Sequence, residues 1–301
     1  MAKVLCVGQS AYDITLPIDH YPIENKKVKI PNKVECGGGS SSNCAFLLAK
    51  WGIDTSFAGI IGNDHYGNNI LDEYIDVGVD TKYLQISNRF PTTSSYIIAN
   101  TSIGSRTILT YKDMSIHMSN VTLLDNEFDY ILFDGYEKEF ALEAIRRNPN
   151  AITLLDAGSV KEATVELAYK VDYVICSHDF AIEFSKVDID YNDIETIKRA
   201  YDVLENEFKH HVIITLEALG CFTKIDGEYK LVPSIKVVPV DSTGAGDIYH
   251  GAFMYGLIQG FDLEKTMRFA NITGALSCLR IGSRLSIPEL REVEDAYDAN
   301  S

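Results

Sequence analysis

The chain has 301 residues, of which 46% are hydrophobic and 23% are charged, so it can bury a large core without disulfides or a metal. Its formal net charge of −16, with no run of Lys or Arg, argues against nucleic acid as a partner. No apolar run approaches the about 20 residues that cross a bilayer, and the opening MAKVLCVGQSAYD lacks the pattern of a signal peptide, so we expect a cytoplasmic protein without membrane contacts.

The predicted elements begin with short apolar runs, rich in β-branched residues, that alternate with longer amphipathic stretches. This alternation predicts an α/β fold with a mainly parallel central sheet and helices on both faces. The predicted core strands are, in chain order, Lys3–Gly8, Thr55–Ile60, Tyr130–Phe133, Ile152–Asp156, Tyr173–Cys176 and Val212–Leu216. The predicted helices between them are 42–51, 65–77, 137–147, 161–170 and 193–208. No linker is long enough to divide the chain, so we expect residues 1–301 to form one domain.

Two segments do not follow this alternation. Residues 14–35 and 92–111 contain short extended pieces and turn residues, which predicts a small β-sheet lid beside the main sheet. Towards the carboxyl terminus, residues 221–232 predict a hairpin that turns at Asp226-Gly227. Helical patterns follow at about 244–260, 263–280 and 288–298.

The stretch Val240–Asp247 carries most of the chemical information. Its small residues lead from a strand-like region into an apolar helical run, and a helix that begins there presents unpaired N–H groups and its positive dipole end to an anion. Asp247 falls in the first turn, within reach of an alcohol aimed at a terminal phosphate. We therefore expect Gly244, Ala245 and Gly246 to hold phosphate and Asp247 to be the general base. Taken alone, a Gly-x-Gly-Asp string also fits an acidic residue that merely begins a helix.

A second motif, CGGGSSSNCA at residues 36–45, places three glycines and an Asn at the start of a predicted helix. Together with the 240–247 stretch it resembles the two signatures of the PfkB/ribokinase-type carbohydrate kinases. The later signature has the form Asp-Thr-x-Gly-Ala-Gly-Asp, and here Ser242 replaces its second residue. The resemblance extends along the whole chain. It implies a ribokinase-like fold and an ATP-dependent phosphotransferase that acts on a hydroxyl of a small sugar, such as a fructose-like ketose or another monosaccharide.

In this family an Asp after the first strand, a glycine pair and an Asn hold the sugar hydroxyls. The resemblance assigns these roles to Asp13, Gly38, Gly39 and Asn43, whose carboxylate, amide and backbone groups suit hydroxyls. Considered alone, Asp13 also fits a turn former at a strand end, and Asn43 a helix N-cap. Arg106, in the second lid segment, resembles an Arg of ketohexokinase-like members that reaches back towards the phosphates. A solvated Arg on an edge strand fits it equally well.

The resemblance also implies a nucleotide site and its cations. The counterparts of the positions that surround the base and ribose are Thr215, Gly220, Asn271 and Gly282. Mg²⁺ is expected to travel with ATP, because it binds phosphate oxygens and keeps much of its water. Many members also bind a monovalent cation such as K⁺ near the phosphate helix. The positions here that correspond are Asp241, Thr243, Gly282 and Ser286.

Two positions depart from the family pattern. Residues 177–180 read Ser-His-Asp-Phe where many members have Asn-x-x-Glu, which alters the indirect hold on Mg²⁺, and Glu217 stands where many have Gly. Two other functions therefore stay open, a nucleoside kinase of the same fold and a sugar- or nucleotide-binding regulator without catalysis. No G-x-G-x-x-G follows the first strand, which argues against a dinucleotide-binding dehydrogenase. Lid segments of this family often pair between subunits, so we also expect a homodimer.

Overall fold

The computed structural model describes residues 2–113, 115–119 and 128–300. Its strands are β1 Lys3–Val7, β2 Ala11–Ile18, β3 Val34–Gly38, β4 Asp54–Gly62, β5 Asp80–Ser87, β6 Ser94–Asn100, β7 Ser105–Tyr111, β8 Tyr130–Phe133, β9 Ile152–Ala157, β10 Tyr173–Ser177, β11 His211–Thr215, β12 Cys221–Ile225 and β13 Glu228–Val232. Its helices are α1 Ser40–Lys50, α2 His65–Val77, α3 Lys138–Arg147, α4 Glu162–Ala168, α5 His178–Ser185, α6 Ile194–Phe208, α7 Ala245–Ile258, α8 Leu263–Ser277 and α9 Leu290–Ala299, with a 3-10 turn at Glu217–Leu219.

The larger sheet has nine strands in the order β13-β12-β11-β10-β9-β8-β1-β4-β5. The strands from β11 to β5 in this order run parallel. β12 and β13 add the predicted hairpin, antiparallel, at one edge. The carboxyl ends of the parallel strands all lie at the same end of the sheet, so the loops that follow them lie near one another. Ligands of open α/β sheets bind at this end.

Helices cover both faces because successive strand residues point to opposite sides of the sheet. In β1, Val4 and Cys6 belong to the apolar layer that contains α1, α2, α7, α8 and α9. Leu5 and Val7 belong to the layer that contains α3, α4, α5 and α6. Fully burying one such aliphatic side chain contributes about 1.5–3 kcal/mol. The predicted fold, a mainly parallel sheet between two helical layers, is confirmed.

The smaller sheet, the lid, has the strand order β3-β2-β6-β7. β2 and β6 are parallel, and the other neighbours are antiparallel. The lid takes its strands from both segments in which extended pieces are predicted, although residues 19–33 form no strand. It also reaches beyond those segments, to Ala11 and Gly38, so Asp13 and the glycine pair lie where the lid joins the main sheet.

Two elements, β5 and α5, escaped prediction. β5 is an edge strand in which only Tyr83 is buried, so it lacks the alternation of a half-buried strand. α5 has eight residues, and its N-cap is Ser177, whose side chain accepts a hydrogen bond from the backbone N–H of Phe180. The predicted helix 263–280 ends earlier, at Ser277. No helix in the described ranges combines the length and apolarity needed to span a membrane.

Candidate active site

The carboxyl ends of the parallel strands carry a row of polar groups. Gly8 follows β1, Asp134 follows β8, Asp156 lies near the end of β9, and Thr215 ends β11. α7 begins against this row, because Nε2 of His250, in its second turn, lies 3.5 Å from Oδ1 of Asp156. The fold therefore brings the 240–247 stretch to the end of the sheet where ligands bind.

The start of α7 has the geometry of an anion site. Gly244, its N-cap, has φ 76° and ψ 0°, a left-handed conformation that glycine adopts at little cost. No side chain caps the helix, and the N–H of Ala245 makes only a 3.3 Å contact with the carbonyl of Ser242. A Cβ placed on Gly246 would meet no atom of the described residues within 4 Å. The first turn thus faces open space with its N–H groups and its positive dipole end.

Asp247 projects from this first turn and is partly exposed. Its Oδ2 accepts a hydrogen bond of 2.8 Å from Nδ2 of Asn43. Burial, and then repulsion by Asp156, raise the pKa of Asp247 to about 6, although Asn43 and His250 act in the opposite direction. At neutral pH such a carboxylate is ionised, yet it is more basic than an ordinary Asp. It is therefore suited to accept a proton from an alcohol.

His250 links α7 to the ends of two strands. Its Nδ1 lies 2.6 Å from the carbonyl oxygen of Gly246, and its Nε2 lies 3.4 Å from the carbonyl oxygen of Ile175 and 3.5 Å from Asp156. Oxygen acceptors face both ring nitrogens, so a protonated ring can donate to both sides. The ring holds the first turn of α7 at a fixed distance from the strand ends.

Asp13 lies in β2, at the junction of the lid and the main sheet. Its Oδ2 accepts a hydrogen bond of 2.6 Å from Oγ of Ser283. Burial raises the pKa of Asp13, and the bond from Ser283 partly offsets the rise. A Cβ on Gly38 would lie 2.1 Å from the same oxygen, so glycine is required for the carboxylate to lie there. A Cβ on Gly39 would lie 2.5 Å from the carbonyl oxygen of Gln9.

Ser283 also contacts the α7 side of the site. A Cβ on Gly244 would lie 3.0 Å from Cβ of Ser283 and 3.6 Å from Nδ2 of Asn43. Asp13, Asn43, Gly244 and Asp247 therefore form one contiguous group, although they come from three different regions of the sequence. The structure brings the predicted sugar residues and the predicted phosphate residues together.

Arg106 joins the lid to the segment before α7. Its Nη1 donates a hydrogen bond of 2.6 Å to Oγ of Ser242, which donates in turn to the carbonyl oxygen of Gly104 at 3.1 Å. Gly104 has φ 68°, and a Cβ there would lie 2.5 Å from the ring of Pro239. The guanidinium is therefore bonded to a residue two positions before the N-cap Gly244. There it adds positive charge beside the anion site.

Three of the residues predicted to surround the nucleotide base, Thr215, Gly220 and Asn271, lie around the ends of β11 and β13. The fourth, Gly282, lies apart from them, because its N–H donates to Asp241 and a Cβ there would meet Val34 of the lid strand β3 at 3.1 Å. Oγ1 of Thr215 donates to the carbonyl oxygen of Cys176 at 3.2 Å, and Gly220 follows the 3-10 turn with φ 108°. Asn271 is buried, and its Nδ2 donates to the carbonyl oxygen of Val232 at 2.9 Å. This amide group therefore holds the end of β13 and does not project into open space.

The two departures from the family pattern, Glu217 and the 177–180 stretch, differ in how well they suit the local backbone. Glu217 has φ 52°, the left-handed region in which a side chain costs roughly 1–2 kcal/mol and glycine costs little. Ser177, the first residue of the altered 177–180 stretch, caps α5. Ser177 therefore suits the backbone at its position, whereas Glu217 has a backbone conformation that favours glycine.

The residues predicted near a monovalent cation lie on two largely buried segments, 241–243 and 282–286, which contact each other. Oδ1 of Asp241 accepts hydrogen bonds from N and Oγ1 of Thr243, at 2.9 and 2.6 Å, and Oδ2 accepts one of 3.0 Å from N of Gly282. Oγ of Ser286 donates to the carbonyl oxygen of Ser283 at 2.8 Å. The Asp241 carboxylate already accepts three hydrogen bonds from the protein. The backbone carbonyls of these two segments are therefore the groups suited to a cation. Within the described ranges, no three His, Cys, Asp or Glu side chains cluster to hold a metal.

Sequence reasoning missed four residues of the site. Asp156 ends a predicted strand, and His250 follows Asp247 by three positions on one helix face, so the sequence contained a positional signal for both. Ser283 and Arg284 had no such signal, because their partners are distant in sequence. Arg284 is buried and pairs with Glu73 of α2 at 2.6 Å.

Comparison with known proteins shows close agreement over the whole chain. Ribokinase of Bacillus subtilis (strain 168) is 26% identical over 313 residues, which covers 98% of this chain and 99% of that protein. An ATP-dependent 6-phosphofructokinase of Thermoanaerobacterium thermosaccharolyticum is 24% identical over 286 residues, covering 87% and 84%. The crystal structure of ribokinase from Thermotoga maritima superposes with a TM-score of 0.81 and 27% identity, covering 99% of each chain.

The family model agrees with these relatives. Residues 1–290 match the model described as pfkB family carbohydrate kinase. The match includes both glycine motifs, the lid strands and α7. The chain therefore belongs to the pfkB family of carbohydrate kinases, phosphotransferases that act on sugar hydroxyls.

Proposed function

We propose that this kinase transfers the terminal phosphoryl group of ATP to a hydroxyl of a small sugar, with Asp247 as the general base. The observation that carries the proposal is the position of the Asp247 carboxylate, beside an open helix N-terminus and hydrogen-bonded to Asn43. An ionised carboxylate there can receive the proton of the alcohol, while the N–H groups of α7 stabilise the phosphoryl oxygens.

In the proposed step, the acceptor O–H gives its proton to Asp247, and its oxygen forms a bond to the γ-phosphorus. The bond from that phosphorus to the oxygen of the leaving ADP breaks. Gly244, Ala245 and Gly246 contribute backbone N–H groups, and Arg106 contributes charge from the lid. These groups provide the local positive potential that a chain with a net charge of −16 otherwise lacks.

We assign the acceptor side of the site to the residues around Asp13. Its carboxylate can accept hydrogen bonds from sugar hydroxyls, and Ser283 fixes its orientation. The glycines leave room for a ring and expose backbone N–H groups. The proposed acceptor residues are Asp13, Gly38, Gly39 and Asn43.

We assign the nucleotide side to Thr215, Gly220 and Gly282. Asn271 acts indirectly, because its side chain holds the end of β13. Mg²⁺ would be bound mainly by phosphate oxygens and water. The two segments that contain Asp241, Thr243 and Ser286 would offer carbonyl oxygens to K⁺.

The names of the relatives support the reaction and the use of ATP but do not determine the acceptor. One relative is named ribokinase and another ATP-dependent 6-phosphofructokinase, at nearly equal identity. We therefore propose a monosaccharide, and fructose-like ketoses are the first to test. Nucleosides are the competing acceptors.

The test is an ADP-release assay with ATP, Mg²⁺ and a panel of monosaccharides, sugar acids, sugar phosphates and nucleosides. We expect release of ADP with at least one sugar. Release with nucleosides alone would make the protein a nucleoside kinase. A sugar that raises the melting temperature but gives no ADP would indicate a binding protein without catalysis.

A further inference from the structure

Two lysines approach one aromatic ring at the carboxyl end of the sheet. Nζ of Lys112 lies 3.6 Å from the ring centre of Tyr136. Nζ of Lys161 lies 4.2 Å from the same centre and 3.0 Å from the phenolic oxygen. The face of a ring attracts a cation, but two ammonium groups this close repel each other. The ring alone does not neutralise the pair.

The carboxylates near these lysines are engaged elsewhere. Asp134 accepts hydrogen bonds from three backbone N–H groups, and Oε2 of Glu137 accepts one of 2.9 Å from Met118. Within the part of the chain that the structure describes, neither Lys112 nor Lys161 lies in an ion pair. Burial lowers the pKa of Lys112 to about 8, although the charges of Asp134 and Glu137 act in the opposite direction. The two ammonium groups therefore lack a close counter-charge.

The lysine pair lies on the acceptor side of the proposed reaction centre. In the order of strands, Thr215 ends β11, Asp156 lies at the end of β9 beside Asp247, and Tyr136 follows β8, next to β1. Asp247 thus lies between the proposed nucleotide side and the ring of Tyr136. Tyr136 is also linked to the acceptor side by hydrogen bonds, because its N–H and the N–H of Ser41, in the first turn of α1, both donate to Asp134.

A narrow cleft lies next to Lys112 on the same side. Its lining includes Gly8–Ser10 after β1, Thr93 at the start of the lid, Lys112 and Glu137. Lys112 directly follows the lid strand β7, so the lid positions its ammonium group over the cleft. The cleft therefore extends from the base of the lid to Lys112, one member of the lysine pair.

We propose that the sugar acceptor carries an anionic group, a carboxylate or a phosphate, which Lys112 and Lys161 bind beside Tyr136. This inference rests on the proposed function and narrows its substrate class. An oxyanion between the two ammonium groups accepts a charge-assisted hydrogen bond from each and removes their mutual repulsion. The anionic group lies away from the hydroxyl that Asp247 deprotonates.

Isothermal titration calorimetry without nucleotide tests the inference. D-fructose is compared with D-fructose 6-phosphate, and D-glucitol with D-gluconate, so that one pair tests a phosphate and the other a carboxylate. We expect the anionic member of at least one pair to bind at least about tenfold more tightly. Lys112→Gln should remove most of that preference, and Lys112→Arg should keep much of it.

Lys265→Gln is the matched control. Nζ of Lys265 lies 3.9 Å from the ring centre of Phe261, beyond the far end of α7, so this variant removes a similar cation–ring contact outside the site. Its preference for anionic ligands should equal that of the wild type. Equal affinities within both pairs, or an unchanged preference in Lys112→Gln, would overturn the inference.

ADP-release kinetics with the same ligands separate the inference from the proposed function. Tight binding of an anionic sugar without ADP release would contradict the proposed function and leave the inference standing. Turnover of neutral sugars in preference to anionic ones would support the proposed function and contradict the inference. If Lys112→Gln raises KM for ATP instead of KM for the acceptor, the lysines bind nucleotide phosphate and the inference is wrong.

Discussion

Asp247, the proposed general base, lies close to a second carboxylate from another element. Asp247 belongs to α7, and Asp156 lies near the end of β9. Burial is the largest cause that raises the pKa of Asp247, and repulsion by Asp156 is the second. Asn43 and His250 lower this pKa. Together these effects bring the pKa of Asp247 closer to neutral pH, where a general base works best.

The pH dependence of turnover should report this environment. The base is active when ionised, so kcat/KM should fall as the pH decreases through about 6, the pKa of Asp247. Asp156→Asn removes a negative neighbour, lowers that pKa and should move the acidic limb to lower pH. His250→Gln removes a group that lowers it and should move the limb to higher pH. Shifts of both variants in one direction, or no shift in either, would contradict this explanation.

Single residues were predictable where a local motif identifies them. Asp247, Gly244 and Gly246 were found because the glycine turn and the helix that follows are adjacent in sequence. Ser283 was not found, because its contact with Asp13 joins residues at opposite ends of the chain. The sequence has no local feature that predicts such a contact.

Among the elements, α7 matters most, because its first turn faces open space. Gly244→Ala forces a side chain into φ 76°, at a cost of roughly 1–2 kcal/mol, and places its Cβ 3.0 Å from Ser283. We expect the turn to shift and kcat/KM for ATP to fall at least about tenfold.

Gly260→Ala is the matched control at the other end of the same helix. Gly260 has φ 69°, and a Cβ there would meet no described atom within 4 Å. Thermal unfolding should show a similar loss of stability in both variants, but Gly260→Ala should keep its activity. Full activity in Gly244→Ala would mean that the first turn does not hold the phosphate.

Elements were predictable where burial is regular. β1, β8 and β11 are buried apolar runs, and the sequence identifies them within a few residues. β5 was not predicted because an edge strand needs few buried residues, and α5 because eight residues give a weak helical pattern. The 19–33 segment forms no strand, since pairing of a lid strand depends on its neighbours and not on its own residues.

At the scale of the whole molecule, the lid strand β7 has apolar, exposed side chains, and among the described residues it pairs with a strand on one side only. β7 is the last strand of the lid, and its residues Leu109 and Tyr111 are exposed at 58% and 62%. Tyr96, which pairs with Leu109 across β6 and β7, is also exposed. Such an edge favours pairing with another chain, so we propose a homodimer formed through the lid.

Analytical ultracentrifugation tests this proposal. The wild type should sediment with twice the chain mass, and Leu109→Lys should sediment as a monomer. Ile75→Lys is the control, because Ile75 is 60% exposed on α2, outside the lid. A wild type that stays monomeric at all concentrations would exclude the lid dimer.

The overall architecture was predictable because strand and helix patterns alternate along the chain. The meeting of Asp13, Asn43 and Asp247 was expected only through resemblance to a family, since no local pattern predicts it. The close approach of Lys161 to Tyr136 follows from the parallel arrangement of β8 and β9, and Lys112 reaches the same ring from the end of the lid strand β7. Such contacts become visible only when the order of the strands is known.

The most direct test of the account is turnover by Asp247→Asn. We expect kcat to fall at least about 100-fold with KM for ATP nearly unchanged, because the variant keeps the helix N-terminus but loses the base. Its stability at pH 7 should equal or exceed that of the wild type, since burial and Asp156 disfavour the ionised carboxylate. Asp179→Asn, which changes an exposed acid in the first turn of α5, should turn over normally. Undiminished kcat in a folded Asp247→Asn variant would contradict the account.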